Sequence, residues 1–374
     1  MEDILFGVLK KIEDEGFSAY IVGGYVRDKI LGINSKDADL TTSASPKDLM
    51  KIFPGFIKVI EEYGAVKLKL GEYIFDITTF RSEYEYENNK PKRIEYVKDL
   101  RTDLTRRDFT MNTVCINSSG EIIDYLEGVK DIKAHLIKVV GNTREKFNED
   151  NTRILRALRF YTILDFELDE SIIDYLKNNT YKIGQITINK RKEELDKIFT
   201  SFNTDKFISF IKKYKIEEAL GIKINDDFVN TKSIVGAWAQ IECTNEYNFT
   251  KIEKKQIEKI KALVKKGSIN SFDIYMNGNY ISLIASMILK IDTKKIDKLY
   301  TNLAIKGIID INLNVEDICD ILHIKQGKEI GKIYNILESE IISGKLNNDK
   351  EILKARVLLM AGEDYGKNKG INKS

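Results

Sequence analysis

Two aspartates separated by one residue are the first side chains whose spacing could do chemistry. Asp37 and Asp39 belong to the segment DADLTT, whose pattern predicts a β-strand. Because residues i and i+2 of a strand point to the same face, we expect the two carboxylates to lie side by side. Their mutual repulsion favours a cation between them, and Mg²⁺ prefers one or two carboxylates together with substrate phosphates. The pair therefore predicts a Mg²⁺ site.

A glycine pair precedes these aspartates at the end of an apolar run. In YIVGGYVRDKIL a predicted strand ends at Gly23 and Gly24, and a helix begins there with Arg27 near its start. Backbone N–H groups of such a turn can approach an anion closely, and a helix N-terminus favours negative charge. The order strand, turn, helix, strand thus predicts a triphosphate-binding turn beside the metal site.

A third carboxylate is expected if two metal ions share the work, one activating a hydroxyl and the other holding the leaving phosphate. Asp76 in YIFDITTF alternates with apolar neighbours, so we expect it to face away from the apolar side of its strand. A hairpin with the preceding strand could bring it beside the other two carboxylates. Asp37, Asp39 and Asp76 are therefore the predicted catalytic residues.

Composition excludes several other chemistries. The 374 residues include two histidines, His135 and His323, without a second histidine at metal-ligand spacing, which excludes histidine-based metal hydrolysis. Three widely separated cysteines exclude a disulfide framework and a CxxC site. A net charge of +2 argues against a uniformly basic surface, although the lysine-rich residues 250–266 could be either a solvated helix face or a phosphate-contacting patch.

The chain divides into two parts with different hydrophobic patterns, and the first part contains the strands that must position the aspartates. Short β-rich runs dominate up to about residue 140, and longer runs with helical spacing follow. The β-rich runs are SAYIV, DADLTT, FIKVI, AVKLKL and YIFDITTF. No stretch approaches the roughly 18 consecutive apolar residues that a membrane-spanning helix needs. We expect a cytoplasmic protein with no membrane partner.

The segment NEDNTRILRALRF repeats charged residues every three positions. Asp150 is followed by Arg153, Arg156 and Arg159, a spacing that keeps near neighbours on one helical face. One interpretation is a surface ion pair of little energetic value. The alternative is that a carboxylate and a planar guanidinium together present acceptor and donor groups similar to a nucleobase edge.

Taken together, these segments resemble the nucleotidyltransferase family that contains tRNA CCA-adding enzymes and bacterial poly(A) polymerases. Besides GGYVRD and DAD, the resemblance rests on DLTRRDFTMN, NEDNTRILRALRF and GKLNNDKEILK, and it covers nearly the whole chain. It implies Mg²⁺ at Asp37 and Asp39, and nucleotide contacts from Gly24, Arg27 and Arg107.

The same resemblance implies a role for the arginine-rich segment. Asp150 and Arg153 would pair with the incoming CTP or ATP in place of a nucleic-acid template, with Arg156 and Arg159 near the nucleotide. The segment EYEYENNKPKRIEYV has the length typical of full CCA-adding enzymes, although Asn89 and Lys90 replace a more usual arginine pair.

The implied fold is α+β, with a nucleotidyltransferase head of small mixed sheet and helices over residues 1–140. An all-helical neck (141–200), body (201–300) and tail (301–374) would follow. The implied activity is template-independent addition of C, C and A to tRNA 3′ ends from CTP and ATP, with tRNA gripped by lysine-rich helical faces and no DNA partner. The alternatives are a CC-adding or A-adding specialist, a poly(A) polymerase, or a catalytically silent RNA-binding protein.

Overall fold

The computed structural model describes residues 1–35, 37–55, 57–60 and 64–369. The strands in these ranges are β1 (Ala19–Val22), β2 (Asp39–Thr42), β3 (Ile57–Ile60), β4 (Ala65–Leu70), β5 (Tyr73–Thr79), β6 (Arg81–Glu87), β7 (Lys90–Tyr96), β8 (Cys115–Ile116), β9 (Ile122–Ile123), β10 (Leu136–Ile137), β11 (Glu167–Leu168), β12 (Ile222–Ile224) and β13 (Ile241–Cys243). The predicted strand over residues 56–60 is β3, and Phe56 lies outside the described residues.

The helices follow in chain order, with 3-10 turns at Thr110–Asn112 and Ile308–Asp310. Those before residue 225 are α1 (Glu2–Asp14), α2 (Gly24–Ile30), α3 (Pro46–Ile52), α4 (Leu100–Thr105), α5 (Gly128–Lys133), α6 (Thr143–Glu149), α7 (Thr152–Ile163), α8 (Glu170–Asn179), α9 (Tyr181–Gly184), α10 (Ile188–Phe199), α11 (Thr204–Lys213) and α12 (Glu217–Leu220). Those after it are α13 (Ile234–Trp238), α14 (Lys251–Lys266), α15 (Ser271–Asn277), α16 (Asn279–Ile288), α17 (Thr293–Thr301), α18 (Val315–Leu322), α19 (Lys328–Ile342) and α20 (Lys350–Lys369).

A mixed sheet organises the N-terminal part, with the strand order β3-β4-β5-β2-β1-β8-β9. The predicted hairpin is present: β4 and β5 are antiparallel, with Leu70 opposite Tyr73 across Gly71, whose φ of +61° suits glycine in a tight turn. Strand β2 is antiparallel to β1 but parallel to β5. The parallel pair places the start of β2 and the middle of β5 side by side, which positions the carboxylates.

A second hairpin, β6–β7, stands outside this sheet and forms its own two-stranded ladder. Its two-residue loop is Asn88 and Asn89, both with positive φ, which is the conformation that asparagine tolerates best among residues with a side chain. This hairpin is the segment whose length was noted in the sequence.

The remainder of the chain is helical, and the α+β fold class is confirmed. The expectation of an entirely helical remainder is wrong in detail, because short strands occur there as well. Strand β11 pairs in parallel with β10, and β12 and β13 form another ladder. These ladders pair the backbone groups of connecting segments, which would otherwise be unsatisfied.

Two compact units divide the chain. The first comprises residues 1–224 with 242–248, and the second comprises 225–241 with the chain from residue 249 onward. The finer division into head, neck, body and tail stays a prediction. No helix in the described ranges is both long and apolar enough to cross a membrane.

Candidate functional site

The glycine turn lies directly beside one of the predicted metal ligands. Gly23 has φ +82° and ψ −139°, a backbone conformation that essentially only glycine adopts, and α2 starts at Gly24. A Cβ placed on Gly23 would lie 3.5 Å from Oδ2 of Asp39. The turn is therefore within van der Waals contact of this carboxylate, and the binding of a triphosphate by the turn stays a prediction.

The carboxylates reach the site from different backbone positions. Asp39 begins β2, and its register partner on β5 is Asp76. Asp76 points to the face opposite the buried Phe75 and Ile77, as its alternation predicted. Asp37 precedes β2, so the expectation that it shares a strand face with Asp39 is wrong. The strand begins two residues later than the hydrophobic pattern suggested.

The three carboxylates influence one another electrostatically. Asp39 is exposed at the start of β2, yet its pKa is raised, first by desolvation from the surrounding protein and then by the neighbouring charges of Asp76 and Asp37, while Arg107 opposes the increase. On the adjacent strand, Lys67 is the register partner of Asp76, and its Nζ lies 2.7 and 3.1 Å from the two oxygens of Asp76. The third predicted carboxylate, Asp76, is thus ion-paired with the ammonium group of Lys67.

These residues fit a divalent cation, although not a closed cage. No group of three or more carboxylate, histidine or cysteine side chains is gathered as a ligand set within the described ranges. Mutual repulsion at Asp39 shows instead an accumulation of negative charge on hard oxygen donors. Mg²⁺-type cations are commonly held by one or two carboxylates while substrate oxygens complete the shell. Asp37 and Asp39 with Asp76 nearby match this pattern.

Helix α4 and the two residues that follow it supply a cluster of charged groups. Asp103 is fully buried and accepts hydrogen bonds from the backbone N–H of Arg81 at 3.2 Å, from Arg106 Nε at 2.9 Å and from Arg107 Nη2 at 3.2 Å. Burial raises the pKa of Asp103, but Arg107 and Arg106 outweigh it, so the pKa is lowered. The carboxylate therefore stays charged and fixes both arginines.

Arg107 has a donor to spare. Its Nε is buried and has no hydrogen-bond partner among the described residues. The same arginine is the positive group with the largest effect on Asp39. A buried, unpaired donor close to a carboxylate cluster suits an anionic ligand, and the nucleotide contact that the family resemblance implies for Arg107 stays a prediction.

Arg27 belongs to a network that connects distant parts of the first unit. Its Nη1 donates to Oδ1 of Asn112 at 2.9 Å, and Asn112 Nδ2 donates to Asp108 Oδ1 at 3.1 Å. Arg156 Nε donates to Asp108 Oδ2 at 2.8 Å. The ring of Phe160 lies 5.2 Å from the guanidinium of Arg27. Asn112 and Asp108 thereby connect three segments that are predicted to contact the nucleotide.

Asp108 is the centre of this network. It is buried, and the pKa of its carboxyl is lowered to about 2, because Arg156, Asn112 and the N–H of Phe109 together outweigh the burial that would raise it. An ionised carboxylate at this position holds Arg156 toward the segment that also carries Arg107. Asp108 and Asn112 were not identified from the sequence.

The helix α7 carries the predicted arginines but not Asp150. The helix starts at Thr152, and Asp150 lies in extended conformation between α6 and α7, so the predicted helical face with Arg153 is wrong. Oδ1 of Asp150 accepts from the N–H and hydroxyl of Thr152 at 2.9 and 2.6 Å. Asp150 thus accepts a hydrogen bond from the first residue of α7 and stays outside the helix, so the three-residue spacing does not place it on the helical face.

Arg153 is buried and held by several acceptors. Nη1 donates to the carbonyl of Lys146 and to Glu149, both at 2.9 Å, and Nη2 donates to the carbonyl of Arg106 at 3.1 Å. Its guanidinium also lies over the ring of Tyr86, at 5.7 Å. A surface ion pair with Asp150 is therefore not its role.

Arg159 lies on the same helix but interacts with a different segment of the chain. Its Nε lies 2.6 Å from Oε2 of Glu194 on α10, and its guanidinium stacks on Phe160 at 4.3 Å. The predicted nucleotide contact for Arg159 is thus occupied by an ion pair. This arrangement leaves the contact a prediction.

A polar cavity of about 430 Å³ opens between hairpin β6–β7, the segment after α4, and the start of α7. Four predicted site residues line it: Arg107, Asp150, Arg153 and Arg156. The hairpin contacts the opposite wall, because the N–H of Asn151 donates to Oδ1 of Asn89 at 2.8 Å. The other predicted site residues, among them Gly23, Gly24, Arg27 and the three predicted catalytic carboxylates, are not in the lining of this cavity.

Several polar residues of the site escaped the sequence analysis. Glu83 is buried between Arg81 and Arg106, and the hydroxyl of Tyr86 donates to it. The alternation of residues along β6 does not show which face of the strand contacts the arginines. The sequence signal that could have found Asp108 and Asn112 is their place in DLTRRDFTMN, one of the segments on which the family resemblance rests.

The mixed sheet, the glycine turn and the paired carboxylates define a nucleotidyltransferase. Family models match two parts of the chain: a poly A polymerase head domain over residues 19–138 and a putative tRNA nucleotidyltransferase domain 2 over residues 236–357. Nucleotidyltransferases of this type generally use a divalent metal ion.

Whole-chain relatives narrow the family. The chain is 32% identical over 378 residues to the CCA-adding enzyme of Ligilactobacillus salivarius, covering 92% of this chain and 93% of that protein. It is 30% identical to the CCA-adding enzyme of Lactococcus lactis subsp. cremoris, covering 94% and 95%. The chain belongs to the CCA-adding enzyme family.

Solved structures show the same fold. The CCA-adding enzyme of Bacillus stearothermophilus in complex with CTP superposes with a TM-score of 0.75 at 21% identity, covering 97% of this chain and 98% of that one. The Thermotoga maritima CCA-adding enzyme complexed with tRNA superposes with a TM-score of 0.66 at 21% identity, covering 96% and 95%.

Proposed function

We propose that this enzyme adds C, C and A to the 3′ end of tRNA from CTP and ATP without a nucleic-acid template. The observation that carries the proposal is the position of Arg107, which lines the polar cavity and also influences Asp39 most strongly among the nearby cations. One residue thereby relates a nucleotide-sized cavity to the carboxylates that would perform the transfer.

The reaction forms a bond between the RNA 3′-oxygen and the α-phosphorus, and it breaks the bond to pyrophosphate. Asp37 and Asp39 would hold Mg²⁺, which supplies neutralisation of the charge on the transferring phosphate. Asp76 accepts the proton of the attacking hydroxyl once Lys67 releases it. Gly23, Gly24, Arg27 and Arg107 position the triphosphate, with the unpaired Nε of Arg107 as its donor.

Nucleotide choice falls to the walls of the cavity. Oδ2 of Asp150 has no hydrogen-bond partner among the described residues and can accept from the exocyclic amino group that cytosine and adenine share. Arg153 supplies donors after exchanging one of its present acceptors for the base. Arg156 and Arg159 act near the nucleotide, Arg156 through its attachment to Asp108.

The helical second unit supplies the grip on tRNA, and the enzyme acts in the cytoplasm where tRNA and nucleotides are found. DNA and membranes are not partners in this proposal. The four-part division into head, neck, body and tail belongs to it as well, with nucleotide selection in residues 141–200 and tRNA binding in the tail.

The test is incubation of the enzyme with tRNA ending before CCA, with tRNA-C and with tRNA-CC, each with labelled CTP or ATP. We expect two C additions followed by one A. Arrest after CC would identify a CC-adding specialist, A addition only to tRNA-CC would identify an A-adding specialist, and long A tracts would identify a poly(A) polymerase. Absence of incorporation with all substrates would refute the enzyme assignment.

A further inference from the structure

Helix α14 of the second unit has an unusual concentration of positive charge. Its sixteen residues include seven lysines, with Glu253 and Glu258 as the acids. The hydroxyl of Thr250 and the carboxylate of Glu253 form a reciprocal cap at its start, and Gly267 ends it in the left-handed conformation. The helix is therefore well delimited, and one of its two acids is committed to the cap.

One side of α14 is buried within the second unit. Ile257, Ile260 and Leu263 are buried, and the helix contacts α13 and α16. At 3.6 residues per turn, an arc of about 80° that starts opposite the buried side and runs toward one flank of it presents Lys251, Lys254, Glu258, Lys261 and Lys265. All five are exposed. We call the four lysines of this set the lysine face.

The four lysines of the lysine face are opposed by one acid, Glu258, within the same arc, and they form no ion pair with it. Lys259 and Lys266, which lie outside it, donate to the carbonyl of Met276 at 2.9 Å and to Asp273 at 2.7 Å. By contrast, no member of the lysine face has an ion-pair partner anywhere in the part of the chain that the structure describes. The positive charge is therefore available to a ligand.

Basic helices of the first unit behave differently. On α10, Lys190 and Lys197 pair with Glu193, and Lys192 pairs with Asp196. Arg191 is buried and donates to backbone carbonyls. The basic residues 190–192 are thus engaged in ion pairs and hydrogen bonds within the protein, whereas the lysines of the lysine face are not. Both helices are rich in lysine, and they differ in whether those lysines form ion pairs within the protein.

We propose that the lysine face binds the phosphates of a double-stranded arm of tRNA, an inference that rests on the proposed function and adds a surface within residues 201–300 to the tRNA grip of the predicted tail. The face extends about 21 Å from Lys251 to Lys265 at 1.5 Å per residue. Lysines act as point charges toward phosphates, and duplex RNA is recognised mainly through its shape, phosphates and 2′-hydroxyls.

The composition of the face favours duplex over single-stranded RNA. Helix α14 contains no aromatic residue, whereas proteins that hold single strands stack bases on aromatic side chains. The face also lacks arginine, which is the common bidentate reader of base edges. A lipid surface is disfavoured because the apolar side of the helix is already buried in the protein.

The experiment compares two triple variants that remove the same charge. Lys254→Ala/Lys261→Ala/Lys265→Ala alters the lysine face. Lys51→Ala/Lys130→Ala/Lys177→Ala removes three exposed lysines of the first unit, each paired with an acid three residues away. Dissociation constants for tRNA lacking CCA are measured over a range of salt concentrations, and KM is measured for tRNA and CTP.

The lysine-face variant should bind tRNA about tenfold more weakly near 100 mM salt, and the slope of log Kd against log salt should fall by about three, since each of the three lysines neutralises about one phosphate. KM for CTP should not change. The control variant should match the unmodified enzyme to within about twofold, because exposed ion pairs contribute little. Lys254→Arg/Lys261→Arg/Lys265→Arg should restore binding, which separates charge from folding.

Equal tRNA affinity in the two alanine variants, or an unchanged salt slope, would overturn the proposal. So would a weakening of binding that arginine does not restore, or a single-stranded RNA of equal length that responds to the variants as strongly as tRNA does. Binding is measured without turnover, so a chain that binds tRNA through this face but incorporates no CMP would refute only the proposed function.

Discussion

The arginines of α7 and the lysines of α14 use positive charge in opposite ways. Arg153 and Arg156 are fixed by carboxylates and carbonyls of other segments, whereas Lys254 and Lys261 are exposed and without ion-pair partners among the described residues. A fixed planar guanidinium can discriminate between hydrogen-bonding partners, while a mobile ammonium contributes attraction that depends on salt. The difference suggests that base selection and tRNA attachment rest on separate surfaces.

Energetic coupling should distinguish these surfaces as well. Residues that share a hydrogen-bond network lose free energy non-additively when they are replaced, whereas independent surface contacts add. Arg27, Asn112, Asp108 and Arg156 form such a network in the first unit. The lysine face contains no contacts among its own members, so each lysine should act alone.

The largest effect should come from removing the carboxylates that we propose as metal ligands, which leaves both positive surfaces in place. Asp39→Ala, and equally Asp37→Ala, should reduce CMP incorporation by about 10³-fold or more, because the charge on the transferring phosphate is no longer neutralised. Affinity for tRNA should stay unchanged in filter binding. Asp174→Ala, at an exposed surface pair, is the control. A tenth of normal activity in both variants would contradict the metal assignment.

Local sequence pattern predicted the parts of this site that depend on strand alternation. The β4–β5 hairpin and the outward direction of Asp76 follow from a two-residue period that neighbouring residues alone determine. The position of Asp150 was missed because α7 starts at Thr152 and Asp150 lies outside the helix, where its Oδ1 accepts from the N–H of Thr152, and periodicity cannot detect such a boundary.

Contacts between distant segments could not be predicted in the same way. Arg27 and Asn112 are 85 positions apart, and their hydrogen bond depends on how β1, α2 and the 3-10 turn pack. The parallel register that places Asp76 beside Asp39 likewise joins strands that are separated by other strands in the sequence. Lys67 meets Asp76 only because that register and the hairpin register are both fixed.

The next effect concerns stability of the arginine network. The pKa of Asp108 is about 2 in the folded chain against 3.8 for an ordinary aspartate. Because the folded pKa is the lower one, this carboxylate stabilises the fold fully above about pH 4 and loses its contribution as pH falls toward 2. Asp108→Asn should therefore lower the free energy of unfolding by about 2 kcal/mol at pH 7.

Urea denaturation followed by circular dichroism, at pH 7 and at pH 3, measures this contribution. The difference between the unmodified chain and Asp108→Asn should shrink by about half at pH 3, because there the unfolded state has already bound most of its proton while the folded state has not. Asp174→Asn is the control, since an exposed pair contributes little. A difference that is the same at both pH values would show that the ionised form of Asp108 is not what stabilises the network.

Selectivity should change by a smaller factor when the cavity loses its free acceptor. Asp150→Ala removes Oδ2, which would accept the amino group shared by cytosine and adenine, so use of UTP relative to CTP should rise about tenfold while the overall rate falls. Competition between the two labelled nucleotides on tRNA lacking CCA measures the ratio. Glu145→Ala, an exposed acid on α6, serves as the matched control.

An unchanged preference for CTP in the Asp150 variant would assign this residue only to the start of α7, where it accepts from Thr152. Arg153→Ala should slow addition of both C and A, and it should leave metal dependence unaltered. A change in the metal requirement would place Arg153 at the carboxylates instead of at the base.

Additivity offers a finer comparison of the two surfaces. Single changes Lys254→Ala, Lys261→Ala and Lys265→Ala should each weaken tRNA binding by about twofold to threefold, and their free energies should sum to that of the triple variant. In the network, the effects of Asp108→Asn and Asn112→Ala on unfolding should sum to more than the double variant shows, because both break the same connection. Additive values in the network would remove the distinction between the surfaces.

The smallest effect is expected at Tyr86, which joins two charged groups without being essential to either. Its hydroxyl donates to Glu83, and Arg153 Nη2 lies 3.4 Å from the same oxygen, a long contact. Tyr86→Phe removes both hydrogen bonds but keeps the ring beneath Arg153. Since Arg153 retains Glu149 and two carbonyls, and Glu83 retains two arginines, the loss should be about 1 kcal/mol or less, or a few-fold in kcat/KM for CTP. Tyr86→Ala, which also removes the ring, should cost more, and equal kinetics for the two variants would show that the ring contributes nothing to holding the arginine.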